Sequence, residues 1–547
     1  MHWLAGLTNK HFIAIAVLAM GGSALADEQM KRGATIYTEK CQMCHQAVGQ
    51  GAPPVYPPLA KSDFMLADRV RAIRVVCEGL SGPIVVNGQS YTNAMPAQIL
   101  DDGKMADVLT YAFNSWENVG EPFTAEEVRK VRATTRFPTF DALVQAASYR
   151  PLPRPPDGWT VREVAQLPDF CTRLASDGKG QRVYVLQQGG GVYLLDLPTA
   201  GLAPLWKPED YLDLSRGDVT ALGCTVDDEG RFWLVTNQKI HQENSFPLNE
   251  VVIWRTDGAA EAEGAKPIPW FQTSYPHGIG GYNHGVSMIA IGPDGMLYVS
   301  SGSRTDGGEP GPDANSYPGG EVENTACIWR LDPKAHVPRI EVLASGLRNV
   351  YGFAWDGARR LFTVSNGPNE NSPEEMDFIQ RGRHYGFPYQ YSDWPVKPGS
   401  PYPHTPAPPD GVEFTHPVAN LGPAAGGKPG GLATFDAHSS PGGLVWCGAD
   451  FPEPFREKFL ITRFGNLLGP PASPEDVGFD LISARLDRTS TGAWEARMET
   501  ILAPLGRPLD IHSIGGGRLL ILEYTRPTNF KDQLGWLPGR IIELAPK

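Results

Sequence analysis

From residue 157 onward the chain alternates short apolar runs with Gly- and Asp-rich breaks. The runs are RVYVLQQGGGVYLLDL, RFWLVTN with VVIWRTDG, GPDGMLYVSSGS with CIWRLDP, RRLFTVSNGP, KFLITRFGN with LISARLDR, and GGGRLLILEYT with GRIIELAPK. They are strand-like runs rich in β-branched and aromatic residues, punctuated by turn residues. Six such units recur within residues 156–547. That recurrence predicts a mainly β fold, a six-bladed β-propeller in which each unit is a small sheet buried against its neighbours. A pair of β-sandwiches explains the regular recurrence less well.

Residues 27–118 follow a helical period instead. In DDGKMADVLTYAFNSW, the positions Met105, Val108, Leu109, Ala112, Phe113 and Trp116 fall on one face of a helix. An earlier helix leads into CQMCH, with Gly33 small enough to let another helix approach closely. This is a small all-α domain. Residues 119–155 read as a linker: TAEEVRKVRAT is a short exposed helix capped by Thr124, and RPLPRPP, Arg150 to Pro156, cannot continue any helix.

Residues 1–26 read as a cleaved signal peptide. Lys10 and His11 precede an apolar run from Phe12 to Met20, and Ala24-Leu25-Ala26 forms a small-residue cleavage site. The run is shorter than the roughly 20 residues needed to span a bilayer, and no later segment qualifies. Export to the periplasm is the expectation, with no membrane span in the mature protein. The chain carries 48 basic and 61 acidic residues, a net charge of -13, and the balance excludes nucleic acid as a partner. The 61 Gly and 50 Pro suit an all-β body more than a helical bundle.

Of the 7 cysteines, Cys41 and Cys44 belong to CQMCH. Two thiols at this spacing reach the two vinyl groups of a haem, and His45 follows in place to ligate the iron. A zinc site is the other reading of Cys-x-x-Cys, but no second such pair or nearby His pair completes it. The sixth iron ligand falls to Met95 in SYTNAMPAQ, where Pro96 stiffens a loop before the last helix; Met65 and Met105 compete. Cys77, Cys171, Cys224, Cys327 and Cys447 remain, allowing at most two disulfides or a set of buried thiols.

In the propeller region, polar residues recur beside strand ends, where blade loops line a central pocket. They are His284, Arg348 with Asn349, Gly367 with Pro368, the Glu374-Glu375 pair, Arg463 and Arg507. Singly each has a plain structural explanation: a hydrogen-bonded loop histidine, a solvated arginine, a turn. Their repetition at similar places on different blades brings them toward one axis.

Two resemblances extend this reading. The segments GQGAPPVYPPLA and VVNGQSYTNAMPAQ, with the helix that follows, resemble class I bacterial cytochromes c. That implies His45/Met95 ligation and a relatively high potential. The segments NHGVSMIAIGPDGMLYV, GLRNVYGFAW, NGP with EEMDFIQRGRHYGFP, HSSPGGLVWCGADFPEPFREKFLITRFGN and GRPLDIHSIGGGRLLIL match, in order, the glucose/sorbosone dehydrogenase family. That family comprises six-bladed propellers that bind pyrroloquinoline quinone (PQQ).

The resemblance implies that His284 is the general base, Arg348 polarises the quinone oxygen and Asn349 contacts the cofactor. The carbonyls of Gly367 and Pro368 would help coordinate Ca2+, and Arg463 and Arg507 would face the cofactor's carboxylates. Two positions depart from the pattern: Asn283 stands before the base where well-studied sugar oxidisers carry Asp, and Ser303 stands where many relatives have a Gly-Asp pair. The expected function is oxidation of a sugar, sorbosone-like aldehyde or related alcohol, with electrons passed to haem c and then to a soluble carrier or terminal oxidase. The alternatives are an electron-transfer or carbohydrate-binding protein without quinone catalysis, and a cytochrome cd1-like nitrite reductase, which has eight blades.

Overall fold

Six sheets of three to five strands follow one another along the second part of the chain, with one further two-stranded ribbon, Gln390–Tyr391 and Trp394–Pro395. In this computed structural model, residues 27–547 are described except 39, 54, 178–180, 244, 280–282, 310–318, 369–371, 392–393, 396–406, 432, 467–476, 527–533 and 535; the expected signal peptide lies outside the described residues. The chain divides into two compact units, one of residues up to Ser148 together with Phe530–Trp536, the other of Tyr149–Asn529 together with Leu537–Lys547.

In the second unit, blade 1 comprises Cys171–Ala175, Arg182–Gln187, Val192–Asp196 and Gly201–Trp206. Blade 2 comprises Val219–Val226, Phe232–Ile240, Leu248–Arg255 and Ile268–Pro276. Blade 3 comprises Val286–Ile291, Leu297–Ser301, Cys327–Leu331 and Glu341–Ser345. Blade 4 has three strands, Val350–Trp355, Leu361–Ser365 and Glu375–Phe378. Blade 5 runs Pro441–Cys447, Lys458–Arg463, Asp480–Arg488 and Trp494–Leu502, with Ala419–Pro423 added in parallel at its outer edge. Blade 6 comprises Pro508–Ser513, Leu519–Glu523 and Arg540–Pro546, completed by Trp159–Gln166 from the start of the unit. The register Arg540↔Gln166 to Pro546↔Trp159 closes the ring. The first strands of the six blades contact one another in a circle. This is the six-bladed propeller expected from the repeats, and six sheets do not suit the eight-bladed nitrite reductase alternative.

Why these stretches form blades is visible in single hairpins. Asp227 Oδ1 accepts from the backbone of Glu229 and Arg231 at 3.1 and 2.9 Å, and Asp356 Oδ1 does the same for Ala358 and Arg360 at 2.9 Å each. These Asx-type turns fix the strand reversal, and the Arg four residues on pairs with the same carboxylate. The strands themselves are apolar on both faces because neighbouring blades cover both: Trp233, Val235 and Ile253 of blade 2 pack on Val286, Val299 and Trp329 of blade 3.

The first strands crowd the axis. A Cβ at Gly223 would lie 2.0 Å from the Ser287 carbonyl oxygen, and one at Gly352 would lie 2.2 Å from that of Gly442. One guanidinium spans this centre. Arg173 of blade 1 donates to Asp510 Oδ1 of blade 6 at 3.0 Å, to the Tyr351 carbonyl of blade 4 at 2.8 Å and to the Leu222 carbonyl of blade 2 at 3.1 Å.

The first unit is helical: residues 27–38, then Gln42–His45, Asp63–Leu66, Arg69–Glu78, Asp102–Phe113, Ala125–Arg132 and Phe140–Ala146, with one hairpin, Ile84–Val86 and Gln89–Tyr91. Side-chain oxygens of Asp68, Asp101, Thr124 and Thr139 cap four of the helices. The stretch read as an exposed linker helix differs from that expectation. Val128 is fully buried and Arg132 reaches Asp102 Oδ1 at 2.6 Å, so a helix that looks polar in sequence packs through one valine and one buried ion pair.

Gly33 does lie at a helix crossing: an added Cβ would meet the Asp107 carbonyl oxygen at 2.2 Å and Tyr111 Cβ at 2.7 Å. Gly33→Ala is therefore expected to destabilise this unit by about 1–3 kcal/mol, measured as an earlier loss of haem absorbance on heating.

The five cysteines outside CQMCH, Cys77, Cys171, Cys224, Cys327 and Cys447, are buried thiols that form no disulfide. Among the described residues no helix is long and apolar enough to cross a membrane.

Candidate functional site

In the first unit, helix Gln42–His45 delivers the motif residues. His45 is buried, and its Nδ1 lies 3.0 Å from the Pro57 carbonyl. A carbonyl only accepts, so Nδ1 carries the hydrogen and Nε2 keeps the lone pair a metal requires. Burial holds the ring's pKa below its ordinary value, which keeps it neutral. The Cys41 thiol is pushed up to about 12 by burial and then by Cys44, whose own thiol is raised by burial. The Cys-x-x-Cys spacing followed by His45 is what fits the pair to thioether attachment of a haem.

The segment between them and the sixth-ligand candidate is cinched by Gly49, whose carbonyl accepts from Leu59 and Ala60 at 2.7 and 2.8 Å. Of the three methionines considered, Met105 is fully buried, with its sulfur 3.5 Å from that of Cys77, and Met65 is core. Met95 is half-buried, and its backbone is paired with Leu80 in both directions at 2.8 and 2.9 Å. Met95→Ala is expected to lower the haem potential by about 0.1 V or more within the span that axial ligands command. Redox titration, with loss of the thioether-to-iron charge-transfer band, checks it.

In the second unit, the turn at residues 303–306, after the second strand of blade 3, holds two of the expected residues. His284 Nδ1 lies 3.1 Å from both the carbonyl and Oγ of Ser303. Ser303 Oγ spends its own hydrogen on the Thr305 carbonyl at 2.7 Å. Both partners of Nδ1 are therefore acceptors, Nδ1 is the protonated nitrogen, and Nε2 keeps its lone pair. Burial first, and the charge of Arg348 second, push the imidazole down to about 3.

Three residues along the same turn from Ser303, Asp306 receives Arg348: Nη2 meets Oδ1 at 2.5 Å and Nε meets the backbone carbonyl at 3.0 Å. The third arm of Arg348, Nη1, donates to the Asn366 carbonyl at 3.1 Å, directly before Gly367. Next to it, Asn366 Oδ1 and Ser372 Oγ are buried without a hydrogen-bond partner among the described residues. A Cβ at Gly367 would lie 3.4 Å from Ser372 Oγ and 3.6 Å from Glu374 Cγ. Pro368 is buried beside them, and Asn349, half-buried, is tied through its backbone to Ser365 and Asn366.

Glu374 accepts from Ser439 Oγ at 2.9 Å and Ser440 N at 2.5 Å. Burial pushes its carboxyl up to about 8, against those bonds and the charges of Arg348 and Arg463. The remaining two expected cations are differently placed. Arg463 forks onto Asp480 at 2.9 and 2.7 Å and reaches Asp436 at 3.0 Å. Arg507 is fully buried, 5.0 Å from the rings of both Phe464 and Phe479, and donates to the carbonyls of Gly465 and Asn466.

The structure thus links His284, Ser303, Arg348 and the Asn366–Gly367 corner through direct hydrogen bonds. Sequence reasoning missed Asp306, Asp436 and Asp480; an acid before paired glycines, TDGG, was the one available signal.

Two family models match the chain in this order: cytochrome c over residues 30–113 and glucose/sorbosone dehydrogenase over residues 229–446. The chain is a cytochrome c fused to a glucose/sorbosone dehydrogenase propeller. The cytochrome c domain is 38% identical over 135 residues to cytochrome c-552 of Thermus thermophilus, covering 88% of that protein and 23% of this chain. It is 30% identical over 124 residues to the cytochrome c subunit of a quinone alcohol dehydrogenase of Gluconobacter oxydans, covering 24% of that protein and 22% of this chain.

The dehydrogenase propeller has solved structural neighbours. The PQQ-bound aldose sugar dehydrogenase of Streptomyces coelicolor is 21% identical with a TM-score of 0.46, covering 72% of this chain and 99% of that one. The soluble aldose sugar dehydrogenase of Escherichia coli is 15% identical with a TM-score of 0.48, covering 71% of this chain and all (100%) of that one.

Proposed function

We propose that the fusion is an exported, periplasmic quinohaemoprotein dehydrogenase that oxidises a sugar, sorbosone-like aldehyde or related alcohol. One observation carries the reading: a neutral imidazole with its Nε2 lone pair held open stands one turn from a buried guanidinium, in a dehydrogenase-family propeller.

The residues fit the expected groups. PQQ is a planar tricarboxylate, and Arg348, Arg463 and Arg507 are the cations assigned to it, of which Arg348 is held by Asp306 and Arg463 by Asp480 and Asp436. The orphaned oxygens of Asn366 and Ser372, with the Gly367 and Pro368 carbonyls and Glu374, make an all-oxygen donor set of the kind Ca2+ takes. Cys41, Cys44, His45 and Met95 suit haem c. When bound, PQQ with Ca2+ supplies a two-electron acceptor and haem c a one-electron outlet.

The chain's own residues do the rest. His284 Nε2 accepts the proton of the substrate hydroxyl, a general-base role. The Arg348 guanidinium holds fixed positive charge where negative charge develops, and Asp306 keeps it from swinging away. Ser303 prevents the imidazole from adopting the other tautomer. Sharing one chain raises the effective concentration of donor for acceptor to about the millimolar range. A soluble cytochrome or a terminal oxidase is the onward partner.

The test is reconstitution with PQQ and Ca2+ followed by a panel of aldoses, aldehydes and alcohols, read as reduction of the protein's own haem. Absence of haem reduction with every substrate sinks the reading. A second reading, a propeller that binds carbohydrate without quinone chemistry, is favoured by Arg463, whose guanidinium is taken up by Asp480 and Asp436. Under that reading, PQQ titration of the apoprotein gives no saturable binding while sugars still bind.

A further inference from the structure

The turn at residues 303–306 holds the imidazole at one end and the guanidinium at the other, and it is itself held by a single carboxylate. Glu321 Oε2 accepts from Arg304 N at 3.0 Å and from Thr325 Oγ1 at 2.7 Å. Its Oε1 accepts from Thr305 N at 3.1 Å and from Thr305 Oγ1 at 2.5 Å. Two consecutive backbone N–H groups pointing at one carboxylate define a tight anion-cradling turn. No other acceptor among the described residues takes these two N–H groups.

The side chain of Arg304, fully buried, fastens the same turn to the loop that precedes His284. It donates to the carbonyls of Pro276 at 2.9 Å, Gly320 at 2.7 Å and His277 at 3.1 Å, and its own carbonyl accepts from Ile279 N at 2.9 Å. The backbone completes the frame: His284 N donates to the Ser303 carbonyl at 3.0 Å and Ser303 N to the Arg348 carbonyl at 2.7 Å.

We propose that Glu321 is a positioning residue for the chemistry at His284 and Arg348, shaping through Arg304 and Thr305 the turn that sets the imidazole tautomer and the guanidinium angle. The role rests on the base and electrophile assignments proposed above. Glu321 touches neither His284 nor Arg348. It acts because Ser303 and Asp306 flank the two residues it grips, so releasing the grip frees both side chains at once. Burial raises its carboxyl's pKa while the hydroxyl and amide donors pull the other way, as expected for a carboxylate that serves as an internal hydrogen-bond hub rather than a solvated charge.

The test compares the full-length holoprotein with Glu321→Gln and Thr305→Val. The amide of Glu321→Gln puts donors where Arg304 N or Thr305 N needs an acceptor. Thr305→Val removes the hydroxyl arm and leaves the backbone cradle. Two readouts are taken. The first is steady-state haem reduction by whichever substrate the panel identifies. The second, independent of catalysis, is the ring-nitrogen NMR spectrum of His284 in histidine-labelled apoprotein, assigned with His284→Gln.

Glu321→Gln is expected to lower kcat by about 10- to 100-fold with KM changed less than about threefold, and to turn a single Nδ1–H tautomer into a mixture. Thr305→Val is expected to move both readouts in the same direction by less. A Glu321→Gln protein with wild-type kcat and an unchanged tautomer overturns the proposal. If Glu321→Gln does not fold, the Thr305→Val spectrum decides: a wild-type tautomer overturns the proposal and a mixed one supports it. If the wild type reduces no haem with any substrate, the functional reading fails, while the tautomer spectrum still decides whether Glu321 sets the imidazole.

Discussion

His284→Ala is expected to lower substrate-driven haem reduction by about a thousandfold, within the range by which a positioned general base accelerates proton transfer. Substrate affinity should change far less, since the imidazole is assigned to the proton rather than to binding. The pH dependence follows from the same geometry. An ordinary imidazole titrates near 6.5, but burial and Arg348 push this one down to about 3. The ring is therefore unprotonated through the whole neutral and mildly acid range, and it should impose no inflection of its own on kcat between about pH 8 and about pH 5.

The corresponding stability term has the opposite consequence in acid. The unfolded chain takes up a proton on this ring below about 6.5 while the folded one does not. Folding free energy falls by about 1.4 kcal/mol per pH unit between those two values. A His284→Ala enzyme of undiminished rate removes His284 from the role given to it, while a kcat profile with its midpoint near 6.5 would show the ring titrating at its ordinary pKa.

Arg173→Leu should have the largest effect on stability, a loss of about 3–5 kcal/mol. The guanidinium and the Asp510 carboxylate are both almost wholly excluded from water, with side chains 3% and 5% exposed. Burial opposes the charge on Arg173, yet Asp510 outweighs it and keeps its pKa above the ordinary value. Removing the cation leaves Asp510 buried without its counter-charge, although Leu174 N still donates to it at 2.8 Å. The paired variant Arg173→Leu with Asp510→Leu is expected to lie closer to wild type than Arg173→Leu alone, because the isolated charge is then gone. Urea unfolding followed by tryptophan emission measures this, with haem absorbance reporting separately on the other unit. A loss below about 1 kcal/mol for Arg173→Leu would show that water reaches Asp510.

How much of this was legible in the sequence depended on distance along the chain. CQMCH declared itself because covalent attachment demands contiguous residues at fixed spacing. The six blades declared themselves because each hairpin carries its own turn chemistry, as in the Asp227 and Asp356 turns. Gly33 was legible as a crossing point because a small residue on a helix face has few other uses.

The pairings that build the propeller site were not legible. Arg173 and Asp510 lie 337 positions apart, and Arg348 and Asp306 lie 42 apart; nothing local tells an arginine bound for a buried aspartate from one bound for solvent. The helix Ala125–Arg132 was misjudged for the same reason. Its composition is that of an exposed helix, and only the tertiary position of Asp102 makes Arg132 an interior residue. Arg463 shows the other limit: its position in the sequence marked a cation, and the two aspartates that engage it are supplied by other segments.

The closure of blade 6 has a consequence for biogenesis. Its outermost strand, Trp159–Gln166, is the first of the propeller to leave the ribosome, and its hydrogen-bond partner, Arg540–Pro546, is the last. The ring cannot be completed while synthesis is still in progress, whereas the hydrophobic core of the helical unit lies within residues 36–131. Maturation is therefore ordered in time: the haem-bearing part can fold and receive its prosthetic group while the catalytic part is still an open chain. A truncation of even the final strand would leave Trp159–Gln166 without its partner and the ring unsealed.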